Sequence, residues 1–574
     1  MHKKFESIYK RLELLYSKED ALYAKKEIQK LLSSYSDKIK SKPYTLTQKD
    51  VILITYGDQV VRPDEEPLVT LKLFLDEHVK DVINTVHILP FYPYSSDDGF
   101  SVIDYKDVSP RMGDWSHIHE LSDSYRLMFD GVINHISQYS YWFKSFLAND
   151  PKYKDFFLDM DPSLDLSKVV RPRTLPLLHE YKDVDEKIHY VWTTFSKDQV
   201  DLNYKNYKVL IAVLDALLFY VQQGANIIRL DAIAFVWKEV GTSCIHLPQT
   251  HELIQLMREV LHLVSPELNI ITETNVPHDE NISYFGNGEN EAQMVYNFAL
   301  PPLLAYSINA GSTSVLTKWA KELHLPSDKV CFFNFTASHD GCGLRPVNGL
   351  LKEEEIDKLV KTVEKRGGYV SYRSLEDGLK SPYELNASYI DIISDPNEEN
   401  HIRAKKMLLT QGVALAMPGV AGIYFHSLVG SQSDRDAVKK TAVYRSINRE
   451  KLNYELLTHE LNEPGNLRAM VYRSYKKLLS IRILEDVFDP YAPFEFVALQ
   501  DEIFAIERKS KKTKEILLAL YNFTNKTILC NISKFSIEHG VELITQDTIN
   551  TKNITLKPYD IKWIKYTKDK DENK

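Results

Sequence analysis

Cysteine is scarce and scattered. Cys244, Cys331, Cys342 and Cys530 are the four in 574 residues, and no pair of them has metal-ligand spacing, so neither a disulfide framework nor a cysteine-bound zinc is expected. Long hydrophobic runs are missing as well: the longest, Gly412 to Phe425, covers 14 residues and is broken by Pro418, short of the ~20 that span a bilayer. No apolar stretch follows the opening Met-His-Lys-Lys-Phe-Glu-Ser, which argues against an export signal. Positive charge is nowhere concentrated, and the formal charge is −9, a poor match for a nucleic-acid backbone. The sequence carries no internal repeat or low-complexity segment. These absences point to a cytoplasmic protein with reduced thiols, with neither a membrane nor a nucleic acid as partner.

What is present is a globular composition, 44% hydrophobic and 26% charged, in a chain long enough for one large domain with accessory parts. Short apolar runs at 51–56, 86–89, 127–133, 227–230, 269–272, 294–296, 330–335 and 420–425 alternate with amphipathic segments such as 209–222 and 251–263. Eight strands interleaved with helices predict an α/β fold, a (β/α)₈ TIM barrel. Ahead of it, residues 1–48 place Phe5, Ile8, Tyr9, Leu12 and Leu15 at helical spacing among lysines. That suits an amphipathic cap on the main domain, with a partner-binding helix as the other reading. The barrel is expected over 49–135, 201–340 and 401–486. Two connections are too long for simple loops, 136–200 after the third strand and 341–400 after the seventh; such lengths mark inserted subdomains beside a functional face. The first shows no clear helical period. From 487 to 574 short β-type runs predict a small antiparallel β domain, and the charged end, 568–574, is expected to fray.

Three of the strands lead to carboxylates. The run at 227–234 reads Ile-Ile-Arg-Leu-Asp-Ala-Ile-Ala and sets Arg229 two residues before Asp231; the run at 270–272 leads into Glu273, and that at 333–335 leads to His339 and Asp340. An arginine beside a carboxylate in a buried strand is either a structural ion pair or a nucleophile held ionised by a cation. Convergence of three such carboxylates at the C-terminal end of a barrel favours catalysis.

Asp130 to His135, Arg229 to Asp231, Glu273, and His339 with Asp340 resemble, in order and spacing, the four signature regions of the α-amylase superfamily of retaining α-glucosidases and transglucosidases. Within it, the runs at 86–93, 97–100, 238–244 and 297–303 are similar to the sucrose phosphorylase branch. The run at 272–278, the N-terminal extension of about 50 residues and Glu384 depart from sucrose phosphorylase itself and resemble glucosylglycerate phosphorylases. The resemblance implies a cytoplasmic phosphorylase acting on a small-molecule glucoside and inorganic phosphate, with no cofactor and no metal. Glucosylglycerol, sucrose and sucrose 6-phosphate phosphorylases, a plain hydrolase, and an inactive barrel used as a binding module are the alternatives.

Retaining cleavage needs one carboxylate as nucleophile and a second carboxyl as acid, then base. Asp231 fits the first role, with Arg229 keeping it ionised, and Glu273 the second, its proton retained by the negative neighbour. Asp340 is expected to stabilise the transition state. His135 and His339 are either satisfied core residues or hydroxyl donors at the glucosyl subsite. By resemblance Asp97 and Phe100 line that subsite, and Arg449 orients Asp97, with Arg445 close by as a competitor. For the acceptor side, the guanidinium of Arg173 in Arg171-Pro-Arg173 suits phosphate and glycerate alike; the plainer reading is a surface loop pairing with Asp183 or Glu186. Tyr383 and Glu384 are expected to shape the same subsite.

Overall fold

The computed structural model describes residues 2–40, 43–374 and 380–568. The segment expected to fray therefore lies, but for Lys568, outside the described residues. The eight runs form strands β1 (Val51–Thr55), β2 (Thr85–Ile88), β3 (Arg126–Gly131), β4 (Ala225–Leu230), β5 (Asn269–Thr272), β6 (Met294–Tyr296), β7 (Cys331–Asn334) and β8 (Val420–Tyr424). All pair in parallel and close into a barrel in which β1 lies between β2 and β8. Every residue of β1, β2, β5, β6, β7 and β8 is buried, which is why these strands read as continuous apolar runs: one face fills the barrel and the other meets the helices. Their ends fall within about two residues of the sequence-based limits.

The helices follow from local rules. Those flanking β4 are Tyr207–Gln222, N-capped by the Asn206 side chain, and Pro248–Leu261, which starts on proline. Against their outer surface packs an N-terminal hairpin of two helices, His2–Leu15 and Lys18–Tyr35, rather than one continuous cap. Ile8, Leu12, Leu15, Ala24 and Ile28 are buried in that seam, and Phe5 and Tyr9 pack at its edge. Arg11 pairs with Glu252 and Glu259 at 2.7 and 2.8 Å, and the Tyr35 hydroxyl donates to Asp215 at 2.8 Å.

The connection after β3 holds regular structure despite its irregular sequence pattern. It contains the helix Tyr141–Leu147, a hairpin of Leu178–Lys182 with Ile188–Trp192, and at its root the antiparallel pair His135–Ser137 and Gln199–Asp201. Its centre is aromatic, with Phe143, Phe146, Phe157 and Tyr181 in edge contacts, so bulky rings replace the helical stripe that sequence periodicity would have shown. Lys238 secures the root, 2.6 Å from Asp201 and 2.8 Å from Asn134 Oδ1.

The connection after β7 carries the helix Glu353–Lys365 and a three-stranded antiparallel sheet of Cys342–Gly343, Lys380–Asn386 and Tyr369–Ser374. Gly343 permits its docking, since a Cβ there would sit 2.6 Å from the Asn275 side chain. After the barrel, a six-stranded antiparallel sheet built on Ile503–Lys509, Glu515–Asn522 and Ile561–Thr567 forms a C-terminal layer. No helix among the described residues is long and apolar enough to cross a membrane.

Candidate active site

The C-terminal ends of β3, β4 and β5 supply the floor of a pocket. Asp130 stands in register with Arg229 on the neighbouring strand. Arg229, 2% exposed, reaches Asp130 through Nη1, holds Asp231 at 2.8 Å through the same nitrogen, and lies 3.8 Å from Glu273 through Nη2. His87 from β2 stands behind it, 2.6 Å from Asp130. One guanidinium is thus shared by three carboxylates. Next to Asp231, Ala232 adopts a left-handed backbone (φ +47°) and aims its N–H at Glu273 Oε2, 3.1 Å away. A left-handed alanine costs roughly 1–2 kcal/mol, and the strained turn ties the two carboxylates together.

Burial dominates the electrostatics. It pushes Glu273 up to about 7, with Arg229 pulling down and Asp231 and Asp340 adding to the rise. Burial also raises Asp231, against the pull of Arg229 and His135. The expectation that Arg229 keeps Asp231 ionised is refined accordingly: Arg229 pulls in that direction, but desolvation is the larger effect and leaves Asp231 above its ordinary value. Asp340 is different. Although burial opposes it, Arg445, His339, Arg449 and Arg229 hold this carboxylate well below the usual range. His339 is driven well below its ordinary value by burial.

The same pocket is lined by Asp97, Phe100, His135, Phe195, Gln199, Asn275, Arg173, Arg345, Tyr383 and Arg445 together with the three carboxylates, around a space of about 680 Å³ that includes its open mouth. Phe100 stacks on His339 with ring centroids 4.6 Å apart. Asp97 sits in a strained turn where Asp97, Asp98 and Gly99 all have positive φ; at Gly99 (φ +110°) a Cβ would meet the Pro90 carbonyl at 2.4 Å. His135 Nε2 lies 2.9 Å from the Phe100 carbonyl and Nδ1 3.2 Å from the Asn134 amide nitrogen, so its ring is engaged by protein groups on both sides.

Four expectations are refined. Arg449 grips Asp98 at 2.7 Å and the His339 carbonyl at 2.8 Å, and stands 3.5 Å from Asp97. Arg445, not Arg449, lines the pocket, bonded to Asp340 and bidentate to Glu384 at 3.0 and 2.7 Å. Glu384 is fully buried behind that arginine and does not line the pocket; the strand Lys380–Asn386 turns Tyr383 inward and Glu384 away, as alternation requires. Arg171 points to the Leu175 carbonyl, whereas Arg173 faces the pocket with its guanidinium 6.0 Å from the Tyr383 ring centre. Asp183 and Glu186 bond elsewhere, to His189 and Lys182. Sequence reasoning missed Gln199, which donates to the Phe100 carbonyl at 3.1 Å, and Arg345. Among the described residues no group of three or more His, Cys, Asp or Glu side chains has a metal-holding arrangement.

Residues 77–341 match the family model of the α-amylase catalytic domain. The chain is 45% identical over 552 residues to a glucosylglycerate phosphorylase of Spirochaeta thermophila, covering 94% of each chain. It is 43% identical over 518 residues to a glucosylglycerate phosphorylase of Escherichia coli K12, covering 90% of this chain and 92% of that one. Among solved structures, sucrose 6F-phosphate phosphorylase from Thermoanaerobacter thermosaccharolyticum superposes with a TM-score of 0.74 at 23% identity, over 88% of this chain and 98% of the other.

Proposed function

The chain belongs to the glucosylglycerate phosphorylases of the α-amylase superfamily, and we propose that it catalyses the reversible phosphorolysis of 2-O-α-D-glucosyl-D-glycerate to α-D-glucose 1-phosphate and D-glycerate by double displacement. The observation that carries the mechanism is the shared guanidinium of Arg229 beneath two buried carboxyls, one of them protonated up to about pH 7. In the first displacement a carboxylate oxygen of Asp231 attacks C1 of the glucosyl unit. The C1–O bond to glycerate breaks, and the Glu273 proton goes to the departing oxygen. Dihydrogen phosphate then gives a proton to Glu273 and attacks C1 through that oxygen, and Asp231 leaves as carboxylate. Two inversions keep the α configuration.

Asp340, held anionic by Arg445, is assigned to the positive charge that develops on the sugar ring, and Phe100 with His339 to the sugar face and hydroxyls. Arg173 and Tyr383 are assigned to the acceptor side. Glu384 is assigned to positioning Arg445 instead of contacting glycerate, which removes the repulsion a carboxylate in that subsite would cause. A cytoplasmic location completes the proposal, supported by four buried, free cysteines. The test is incubation of α-glucose 1-phosphate with D-glycerate, glycerol, fructose and fructose 6-phosphate, with phosphate release as the readout. D-Glycerate is expected to give the fastest release; glycerol in first place would move the assignment to glucosylglycerol, and release with water alone would make the protein a hydrolase.

A further inference from the structure

Six arginines among the described residues are buried: Arg229, Arg345, Arg403, Arg449, Arg482 and Arg508. A buried guanidinium without an acceptor is costly, because its desolvation is not offset. Five of the six hold at least one acceptor, although Arg229, Arg449 and Arg508 each keep one buried nitrogen without a partner. Arg229 holds Asp130 and Asp231, Arg403 holds Asp391 at 2.5 Å, Arg449 holds Asp98, and Arg482 and Arg508 bond backbone carbonyls. Arg345 is the sixth. It is 8% exposed, its Nε is buried without a partner, and no side-chain hydrogen bond or ion pair joins it to any described residue.

Its place in the fold explains how this is tolerated. Arg345 opens the short 3₁₀ turn Arg345–Val347, two residues beyond Gly343, whose missing Cβ lets that segment press against Asn275 beside Glu273. There it lines the pocket together with Arg173 and Tyr383. The third cation of that wall, Arg445, is already neutralised by Asp340 and Glu384. The outer wall therefore presents two guanidinium groups with no carboxylate of the described chain to balance them, next to the carboxyl that would protonate or deprotonate the acceptor oxygen.

We propose that Arg345, acting with Arg173, forms an anion subsite that receives the oxygens of phosphate in one direction and the carboxylate of the acceptor in the other. The inference rests on the phosphorylase reading above. Both acceptors attack the same glucosyl carbon from the same side, and both offer a pair of oxygens matched to a guanidinium fork. Water offers no charge. Arg345 thus biases the glucosyl intermediate towards anions and against hydrolysis, which makes it a specificity residue that the sequence did not single out.

The test is the partition of the intermediate, formed from α-glucosyl fluoride, between water and an acceptor supplied below saturation. The product ratio does not depend on how much of a variant is folded. For Arg345→Ala the ratio of glucose 1-phosphate to glucose, and of glucosylglycerate to glucose, is expected to fall roughly 10- to 100-fold. Arg345→Lys should recover part of it, and transfer to glycerol relative to water should change less than twofold. Unchanged ratios for phosphate and glycerate would reduce Arg345 to a structural residue and overturn the proposal, as would an equal fall for glycerol; a fall for one anion alone would overturn a shared subsite. Should the wild type prefer glycerol to glycerate, the proposed substrate fails while the phosphate ratio still judges Arg345.

Discussion

On the floor of the pocket Arg229 is shared by Asp130, Asp231 and Glu273; on the outer wall Arg445 is gripped by Asp340 and Glu384, while Arg173 and Arg345 face the same space with no carboxylate of the described chain against them. The floor stands on barrel strands that cannot move without opening the sheet. The wall's two unpaired cations come from the two long insertions. Groups that stabilise a transition state work best when their field is fixed beforehand by neighbours, so a floor of paired charges suits chemistry. A surface that must bind and release a small anion is better left short of negative charge, and the wall has that character.

The largest effect that would break this division is expected at Asp231. Asp231→Asn should lower turnover roughly 10⁴-fold or more, and Glu273→Gln by roughly 10² to 10⁴ with natural donors, as measured by glucose 1-phosphate formation. With glucosyl fluoride, whose leaving group needs no proton, Glu273→Gln should recover and Asp231→Asn should not; equal recovery would mean that the two roles are misassigned.

Stability should separate the paired from the unpaired cations next. Glu384→Ala strips the largely buried Arg445 of its bidentate partner while Asp340 remains, and a loss of about 1–3 kcal/mol in urea unfolding is expected. Arg345→Met removes a buried cation that has no partner, so it should be neutral or stabilising in the same assay. Similar losses for both would erase the contrast.

A smaller effect comes from Glu273 itself. Its carboxyl binds a proton more tightly in the folded chain, at about 7 against an ordinary 4.5. The folded state therefore holds the extra proton between those values, and stability falls as pH rises through that window, with the full cost present above it. Glu273→Gln should flatten the profile and exceed the wild type above pH 7 by on the order of 2 kcal/mol; a parallel pair of profiles would put the proton elsewhere. For donors that need the acid, kcat/KM should decline as pH rises through about 7. The mildest change is Arg173→Ala, a half-buried cation, where a roughly 10-fold rise in KM for both phosphate and glycerate is expected.

The eight strands were legible because parallel strands buried on both faces must be written in apolar residues, and the carboxylates at their ends stand out against that background. Glu273 and Asp231 follow directly on Thr272 and Leu230, so sequence adjacency carried the pattern. Partners brought together across the chain were not legible. Glu384 meets Arg445 from 61 residues away, and the His135 ring meets the Phe100 carbonyl from 35; nothing local to either marks the contact. Arg345 lies in an irregular turn where an arginine ordinarily means solvent, and only its burial without an acceptor distinguishes it. The helix Tyr141–Leu147 escaped for another reason: its rings pack on an insertion core of other rings, leaving no apolar stripe of period 3.6.

The N-terminal hairpin has a consequence for how the chain is made. Its apolar seam docks on the helices Tyr207–Gln222 and Pro248–Leu261, whose first residues leave the ribosome some 170 residues after Tyr35. At roughly 5–20 residues per second that is a wait of about 10 to 30 s. Strand β1 waits longer, because Ile52 pairs with Gly422 on β8. The nascent chain thus carries the apolar seam of Ile8, Leu12 and Ile28 until about residue 260 has been made, and the open edge of β1 through most of its synthesis, intervals in which holding factors on the ribosome have something to hold.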